Sequence, residues 1–261
     1  MQKIADMMPR IKHLALTYDE LLKVKSELCN STPGKLAGYD CKKCLNKGYI
    51  SVIKDGTEIM TECECMKKRE CLKRINSSGI ASQIKAKTFT AYCANEPFQR
   101  FIKQSAAEFV SGFLKNREKE WFFIGGQNGC GKTHICTAIA GQFLKKGFNM
   151  RYMLWAEESP VIKSMVNEPQ YKEIISGYQY AEVLYIDDLF KEGSSDADIR
   201  LAFQILDYRY RNHLCTIMSS ERTLDEIYSI DQALGGRIAE ISRNINIPKD
   251  KNKDYRLKAK E

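Results

Sequence analysis

The stretch Trp121–Thr133 reads W-F-F-I-G-G-Q-N-G-C-G-K-T, and it decides the fold. Trp121, Phe122, Phe123 and Ile124 form an apolar run that suits a buried strand. From Gly126 the chain fits G-x-x-x-x-G-K-[ST], closed by Gly131, Lys132 and Thr133. Glycines let backbone N–H groups turn inward and approach phosphate oxygens closely. The helical pattern that follows would aim its unpaired N–H groups and positive dipole end at the same anion. Lys132 is placed to reach the β- and γ-phosphates, and Thr133 to hold Mg²⁺ through its hydroxyl. The residues expected at a bound triphosphate are therefore Gly126, Gln127, Asn128, Gly129, Cys130, Gly131, Lys132, Thr133 and His134. A chance glycine turn is the plain alternative, but it does not require a strand before and a helix after.

Downstream lies A-E-V-L-Y-I-D-D-L-F. Val183 to Ile186 read as a buried parallel strand ending in Asp187-Asp188. A carboxylate at the C-terminal end of such a strand shares an edge with the phosphate loop, where open α/β sheets bind ligands. Asp187 is expected to orient Mg²⁺, and Asp188 to act as the general base that polarises the attacking water. Strand-end acids also serve as helix caps, so the assignment rests on the pairing with the phosphate loop. ATP and Mg²⁺ are the expected cofactors of this half of the chain.

Upstream stands a cysteine pattern. Cys41 and Cys44 form C-x-x-C, and Cys63 and Cys65 form C-x-C. Between them, Tyr49–Ile53 and Glu58–Met60 flank Asp55-Gly56, which reads as a hairpin. A hairpin brings the two pairs together, and four thiolates suit tetrahedral Zn²⁺. Cys71 is a secondary candidate, since C-x-C already completes the set. Ten cysteines and no signal-peptide pattern argue for metal or burial over disulfides, with a cytoplasmic location as the default.

The 261 residues suffice for one α/β domain and a small appendage. With 28% charged residues and no long apolar run, a membrane span is excluded as an expectation. A net charge of +8 permits a polyanionic partner without requiring one. The expected fold is an α/β P-loop ATPase domain with a parallel sheet, preceded by a small zinc-binding helical and hairpin domain. The boundary is expected near Ser77–Ser78, giving 1–78 and 79–261. Apolar residues from Ile4 to Leu22 at helical spacing predict an amphipathic helix at the start, kinked at Pro9. Helical patterns run from Phe98 to Leu114, over Ser159–Ile175 with a break at Pro169, and from Asp196 to His213. Cys215–Met218 reads as a strand and Asn244–Pro248 as an extended segment, while the charged tail is expected to bury little.

The order of these features, phosphate loop, Asp-Asp, a Ser/Thr cluster ending a later strand and then a late helical arginine, is that of AAA+ ATPases. The cysteine module, the D-Y-R-Y run at Asp207–Tyr210, S-S-E-R-T at Ser219–Thr223, G-G-R-I at Gly235–Ile238 and I-P-K-D-K-N-K-D-Y-R-L-K narrow the likeness. Together they resemble bacterial and phage replicative helicase loaders of the DnaC/DnaI type over roughly residues 38–258. That resemblance implies the following. Ser219–Glu221 holds the sensor of the γ-phosphate; the family often has Asn where this chain has Glu221, so Ser219 or Ser220 takes the part. Arg237 reaches the γ-phosphate of a neighbouring copy, and Arg243 and Arg256 are weaker candidates for such trans contacts or for sensor-2 contacts. The chain forms a homo-oligomer through its ATPase interfaces. Its cysteine module grips a hexameric replicative DNA helicase, and its ATPase domain delivers that helicase onto single-stranded DNA. Lys163, Tyr171, Lys172, Tyr178 and Tyr180 lie in a segment suited to contacting the strand.

Three other functions fit the motifs. An IstB-type transposition helper ATPase shares the clade but assembles on duplex DNA. A nucleotide-gated adaptor with negligible turnover would use ATP only as an assembly switch. A small-molecule P-loop kinase would need a substrate pocket and lid arginines but no cysteine module.

Overall fold

The structure is a computed structural model and describes residues 17–77, 81–116, 120–191 and 193–255. The expected helix at the start of the chain falls largely outside the described residues, as do Arg256 and the end of the tail. The chain divides into two compact units at Arg69/Glu70. That point lies ahead of the Ser77–Ser78 break and inside a helix, α2 (Cys65–Ser77). Cys71, fully buried, and Leu72 belong to the core of the second unit, which is why the division precedes the polar break.

The first unit carries α1 (Tyr18–Ser31) and the antiparallel hairpin β1 (Tyr49–Lys54) and β2 (Thr57–Glu62). Asp55 and Gly56 make the turn, both with positive φ. Thr17 caps α1 in a reciprocal capping box with Glu20. A polar seam joins α1 to the hairpin. Asn30 Nδ2 donates to the Ser51 carbonyl (2.8 Å), Ser51 N–H donates to Asn30 Oδ1 (2.8 Å), and Lys25 pairs with Glu58 (2.8 Å). Among the described residues, the buried hydrophobic core of this unit is four cysteines with Tyr39 and Ile50 against them.

The second unit is a three-layer α/β fold. Its strands are β3 (Trp121–Gly126), β4 (Met150–Leu154), β5 (Val183–Asp187), β6 (Cys215–Ser220) and β7 (Ser242–Ile247). All neighbours are parallel, in the order β4-β5-β6-β3-β7. The helices are α3 (Ala81–Ala86), α4 (Pro97–Asn116), α5 (Lys132–Lys145), α6 (Trp155–Ser164), α7 (Tyr171–Gln179), α8 (Asp196–Arg211), α9 (Leu224–Ile230) and α10 (Gln232–Ile241).

Alternation along the strands builds two cores. Phe122, Ile124, Tyr185 and Ile217 face one layer with Phe109 of α4 and Ile139 and Phe143 of α5. Trp121, Phe123, Leu184, Ile186 and Met218 face the other with Ile175, Leu201, Ile205, Leu206 and Ile238. A sheet covered on both faces needs strands that are apolar throughout, and β3, β5 and β6 are buried at every position.

Two expectations change here. Asn244–Ile247 is not merely extended: it belongs to β7, which pairs with β3 from Trp121↔Ser242 to Gly126↔Ile247. The helical pattern over Ser159–Ile175 is interrupted around Pro169 as expected, but its two helices reach further on both sides, the first starting at Trp155 with Pro160 inside it and the second ending at Gln179. Among the described residues no helix is long and apolar enough to cross a membrane.

Candidate nucleotide site and cysteine cluster

The crossing order sets the site. Because β6 lies between β3 and β5, the C-terminal ends of all three converge on the phosphate loop. Gly131 ends the loop in a left-handed conformation (φ +95°) and caps α5. At Gly126 (φ +105°) any Cβ would collide with the Ile247 carbonyl, so the loop and β7 can approach this closely only with glycine. The loop is also held from outside. Gln127 N–H donates to the Ile247 carbonyl (3.0 Å), Asp250 N–H donates to Gln127 Oε1 (2.8 Å), and Tyr255 N–H donates to the Gly129 carbonyl (3.0 Å). The charged segment after β7, expected to bury little, thus braces the loop.

A cleft of about 220 Å³ opens over it, lined by Asn128, Gly129, Gly131, Lys132, Thr133, His134 and Asp188 together with Lys87, Lys191 and Glu221. Lys132 is buried, and its Nζ donates to the carbonyls of Gly126 (2.8 Å) and Gln127 (2.7 Å). Burial pushes its pKa down, so the charged form is short of a counter-ion that an entering phosphate would supply. Gly126, Gln127 and Cys130 shape the loop; the Cys130 thiol donates to the Gln127 carbonyl (2.9 Å).

Asp187 is buried at the end of β5. Its Oδ1 accepts from Thr133 Oγ1 (3.2 Å) and from the Ser219 hydroxyl, and its Oδ2 from Tyr152 Oη (3.4 Å). Burial raises its pKa, against the Ser219 bond that lowers it. A buried carboxylate beside a threonine hydroxyl is an all-oxygen donor set of the kind Mg²⁺ takes, so the residues fit that ion. Ser219 Oγ also accepts from Asp188 N–H (3.0 Å), which ties the two acids to β6. Ser220 turns away and donates to the Leu189 carbonyl (2.7 Å).

Other expected residues lie elsewhere. Arg237 is not in this cleft. Its guanidinium pairs with Asp207 (2.9 Å) and stacks over Phe203 (4.8 Å) and Tyr210 (5.6 Å). Arg243 is engaged by Glu108 and Glu120. Of the segment suited to strand contact, Tyr178 is buried under the Arg151 guanidinium and Lys163 is paired with Asp198, so neither is free on the surface. Tyr180 and Lys172 are exposed.

Lys87 and Lys191 line the cleft but carry no spacing signal in the sequence. Tyr92 likewise has no motif around it, and its ring meets His134 edge-on at 5.2 Å and packs on Gly131.

In the first unit the four sulfurs of Cys41, Cys44, Cys63 and Cys65 lie within 4.8 Å of one another, all buried. Cys41 and Cys63 are 3.8 Å apart, and Cys44 and Cys65 are 3.5 Å apart. Zn–S bonds of about 2.3 Å in a tetrahedron put sulfurs about 3.8 Å apart, so the set fits zinc. Leu45 and Asn46, both at positive φ, make the knuckle that points Gly48 N–H at Cys44 Sγ (3.4 Å). Burial opposes ionisation of Cys44, but that N–H and the neighbouring thiols outweigh it and bring its pKa down to about 6. Burial pushes Cys65 up to about 12. Cys71 is not part of the set: its thiol donates to the Phe148 carbonyl and accepts from Met150 N–H (3.3 Å).

The sheet, the phosphate loop and the strand-end acids define a P-loop ATPase fold of the AAA+ type. A profile of the IstB-like ATP binding protein family matches residues 61–261, most of the chain, and the chain belongs to that family. It is 29% identical over 236 residues to the phage-like element PBSX protein XkdC of Bacillus subtilis (strain 168), covering 85% of this chain and 88% of the relative. It is 22% identical over 204 residues to the replicative helicase loader DnaI of the same organism, covering 78% of this chain and 64% of DnaI. Among solved structures it is similar to the DnaC helicase loader (TM-score 0.56, 22% identity, 65% of this chain and 100% of that one). It is also similar to AMPPCP-bound DnaA from Aquifex aeolicus (TM-score 0.54, 19% identity), covering 67% of this chain and about half, 53%, of that DnaA.

Proposed function

We propose that this chain is an ATP-hydrolysing loader that binds a replicative DNA helicase and delivers it onto single-stranded DNA. The observation that carries the ATP half is the convergence of Lys132, Thr133, Asp187, Asp188 and Ser219 at the ends of three adjacent strands. The likeness to DnaI and DnaC supports the helicase half.

Thr133 and Asp187 would hold Mg²⁺, which when bound draws charge from the β- and γ-phosphates. The loop N–H groups and Lys132 bind the phosphates and fix their orientation. Asp188 takes the proton of the attacking water as its oxygen bonds to the γ-phosphorus. The bond from that phosphorus to the β–γ bridging oxygen breaks, and its electron pair leaves with ADP. Ser219, bonded to Asp187 and to the Asp188 backbone, couples the acids to β6 and is the sensor in this reading. Arg237 lies outside its own cleft, as an arginine supplied to a neighbouring copy must. Its pairing with Asp207 would break when the neighbour docks.

Cys41, Cys44, Cys63 and Cys65 would hold one Zn²⁺ and so stabilise the first unit as the helicase-docking domain, leaving the unit that begins at Glu70 as the ATPase domain. The setting is the cytoplasm.

The test is retention of a ring helicase from the source cell by the full-length Asp188→Asn protein with ATP, and its release by the wild type. Asp188→Asn should lower turnover about 10²–10⁴-fold and leave ATP binding intact. Full helicase loading by that variant would instead identify an adaptor that needs no catalysis. The family match also favours a second reading, the IstB-type transposition helper, and retention of a transposase in place of the helicase would select it.

A further inference from the structure

The turn after Asp187 departs from ordinary backbone twice. Asp188 and Phe190 both adopt φ +59°, a left-handed region that non-glycine residues seldom occupy. Such strain persists only where the surroundings over-determine it. Here they do. Leu189 and Phe190 are buried, Phe190 beside Trp155. Leu189 N–H donates to the Ser219 carbonyl (2.8 Å), Ser220 Oγ donates to the Leu189 carbonyl (2.7 Å), and Arg222 Nε donates to the Phe190 carbonyl (3.4 Å). The consequence is a side-chain arrangement that a regular helix start would not give. Two apolar residues are driven into the core, and the residues on either side of them, Asp188 and Lys191, face the phosphate cleft together.

Lys191 Nζ lies 2.8 Å from Asp188 Oδ2 and 3.6 Å from Glu221 Oε1. Its partners are therefore the acid read as the general base and the acid at the end of the sensor strand. A solvated surface pair would be worth little and would not need a strained turn to place it. Of the lysines lining the cleft, Lys132 donates to neutral carbonyls of its own loop and Lys87 to the Gln83 side-chain oxygen (2.7 Å), whereas Lys191 is held by carboxylates. A γ-phosphate entering beside Lys132 brings a denser negative charge than either carboxylate.

We propose that Lys191 is a γ-phosphate-binding residue that alternates between Asp188 in the empty cleft and a terminal phosphate oxygen in the filled one. This rests on the reading of the cleft as an ATP site. ADP offers no oxygen at that place, so Lys191 makes the cleft prefer ATP. It also leaves Asp188 covered until a γ-phosphate draws the lysine off, so that the carboxylate is uncovered only when a reacting phosphate is present.

The test is displacement of a fluorescent ATP analogue by MgATP and by MgADP from the full-length wild type, Lys191→Ala, Lys191→Arg, Asp188→Asn and the Asp188→Asn/Lys191→Ala double variant. Lys191→Ala should weaken MgATP about tenfold, roughly 1.4 kcal/mol, and MgADP by less than about twofold. Lys191→Arg should keep the preference for ATP. The loss on removing Lys191 should persist in the Asp188→Asn background. Equal weakening of both nucleotides, no change in either, or a loss that vanishes in that background would each overturn the proposal, the last by showing that Lys191 serves Asp188 alone. Should Lys191→Ala melt below the wild type, Lys191→Gln supplies the same comparison. A wild type that binds neither nucleotide would overturn the reading of the cleft itself. A wild type that prefers ATP while Lys191→Ala prefers it equally would overturn only the role of Lys191.

Discussion

The two units solve the folding problem in opposite ways. The first has a polar seam between helix and hairpin, and its buried hydrophobic cluster consists of four thiols with Tyr39 and Ile50 against them. Tyr18, Leu21, Val24 and Leu28 of α1 remain exposed. The second covers both faces of a five-stranded sheet with helices and fully buries Trp121, Phe122, Phe123, Tyr185 and Phe143. Below about 70–80 residues, hydrophobic burial rarely stabilises a unit unaided. The difference teaches where the chemistry-bearing residues are structural and where they are free. In the first unit the cysteines are the core. In the second the apolar layers hold the fold, and Lys132, Asp187 and Asp188 are not part of them.

If the cysteine cluster holds the proposed zinc, its removal should therefore have the largest effect and an uneven one. Structural zinc contributes about 10–16 kcal/mol at neutral pH. We expect purified protein to hold one zinc per chain. Cys44→Ser, or a strong chelator, should make residues 17–69 sensitive to protease while nucleotide binding by the rest survives. Metal analysis and limited proteolysis read both arms, and joint collapse of the two units would break the contrast.

The converse variant is Lys132→Ala. Nucleotide affinity should fall about a hundredfold or more, because a buried partner of the phosphates is lost. Zinc content and protease resistance of the first unit should not change. Undiminished affinity would sink the site assignment.

A third change acts on the scaffold of the second unit alone. Arg209 is fully buried on α8 and donates to the carbonyls of Tyr178 (3.0 Å), Gln179 (3.0 Å), Ala181 (2.7 Å) and Cys215 and to Thr216 Oγ1 (2.9 Å). Burial brings its pKa down to about 9. One side chain thus satisfies acceptors at the ends of α7 and β6. Arg209→Met should cost about 3–5 kcal/mol by leaving them unpaired. Each kcal/mol lowers the melting temperature of a domain this size by about 2–4 °C. Calorimetry with zinc and ATP both held constant measures it.

The residues just named also show what could be read from the chain and what could not. The phosphate loop and Asp187-Asp188 are legible because a glycine-rich turn between strand and helix and paired acids at a strand end are local patterns. The cysteine pairs are legible because C-x-x-C and C-x-C flank a hairpin that brings them together. Strands β3, β5 and β6 announce themselves by continuous apolar runs, since both faces are covered. Strand β7 does not: S-R-N-I-N-I alternates with polar residues because it lies at the sheet edge, so pairing with β3 had no local signature. Arg209 looks like any charged helical residue in D-Y-R-Y; only the convergence of carbonyls from α7 and β6 explains its burial. Lys191 is hidden more deeply. Its position depends on left-handed backbone at Asp188 and Phe190, and no glycine marks that turn.

The smallest effect compares like with like, since each unit uses the same helix start. Thr17 caps α1 through Glu20, and Thr223 caps α9 through Glu226, whose Oε2 accepts from Thr223 N–H at 2.7 Å. Around Thr17 the box is exposed, whereas Thr223 is half-buried and α9 buries Ile227 in the second core. Thr223→Ala should therefore cost about 1 kcal/mol of the second unit's stability, and Thr17→Ala should leave that unit's transition unchanged. The bond from Thr223 N–H holds the Glu226 carboxyl below its ordinary range. A carboxyl with a lowered folded pKa stabilises above its unfolded value and loses that contribution as pH falls through the folded one. Glu226→Gln keeps the side chain's shape and removes that dependence. Its melting temperature should lie slightly below the wild type at about pH 7, and the gap should narrow as pH falls below the unfolded value and through the lowered folded one. A constant gap across that range would mean that the carboxylate's charge plays no part in the cap.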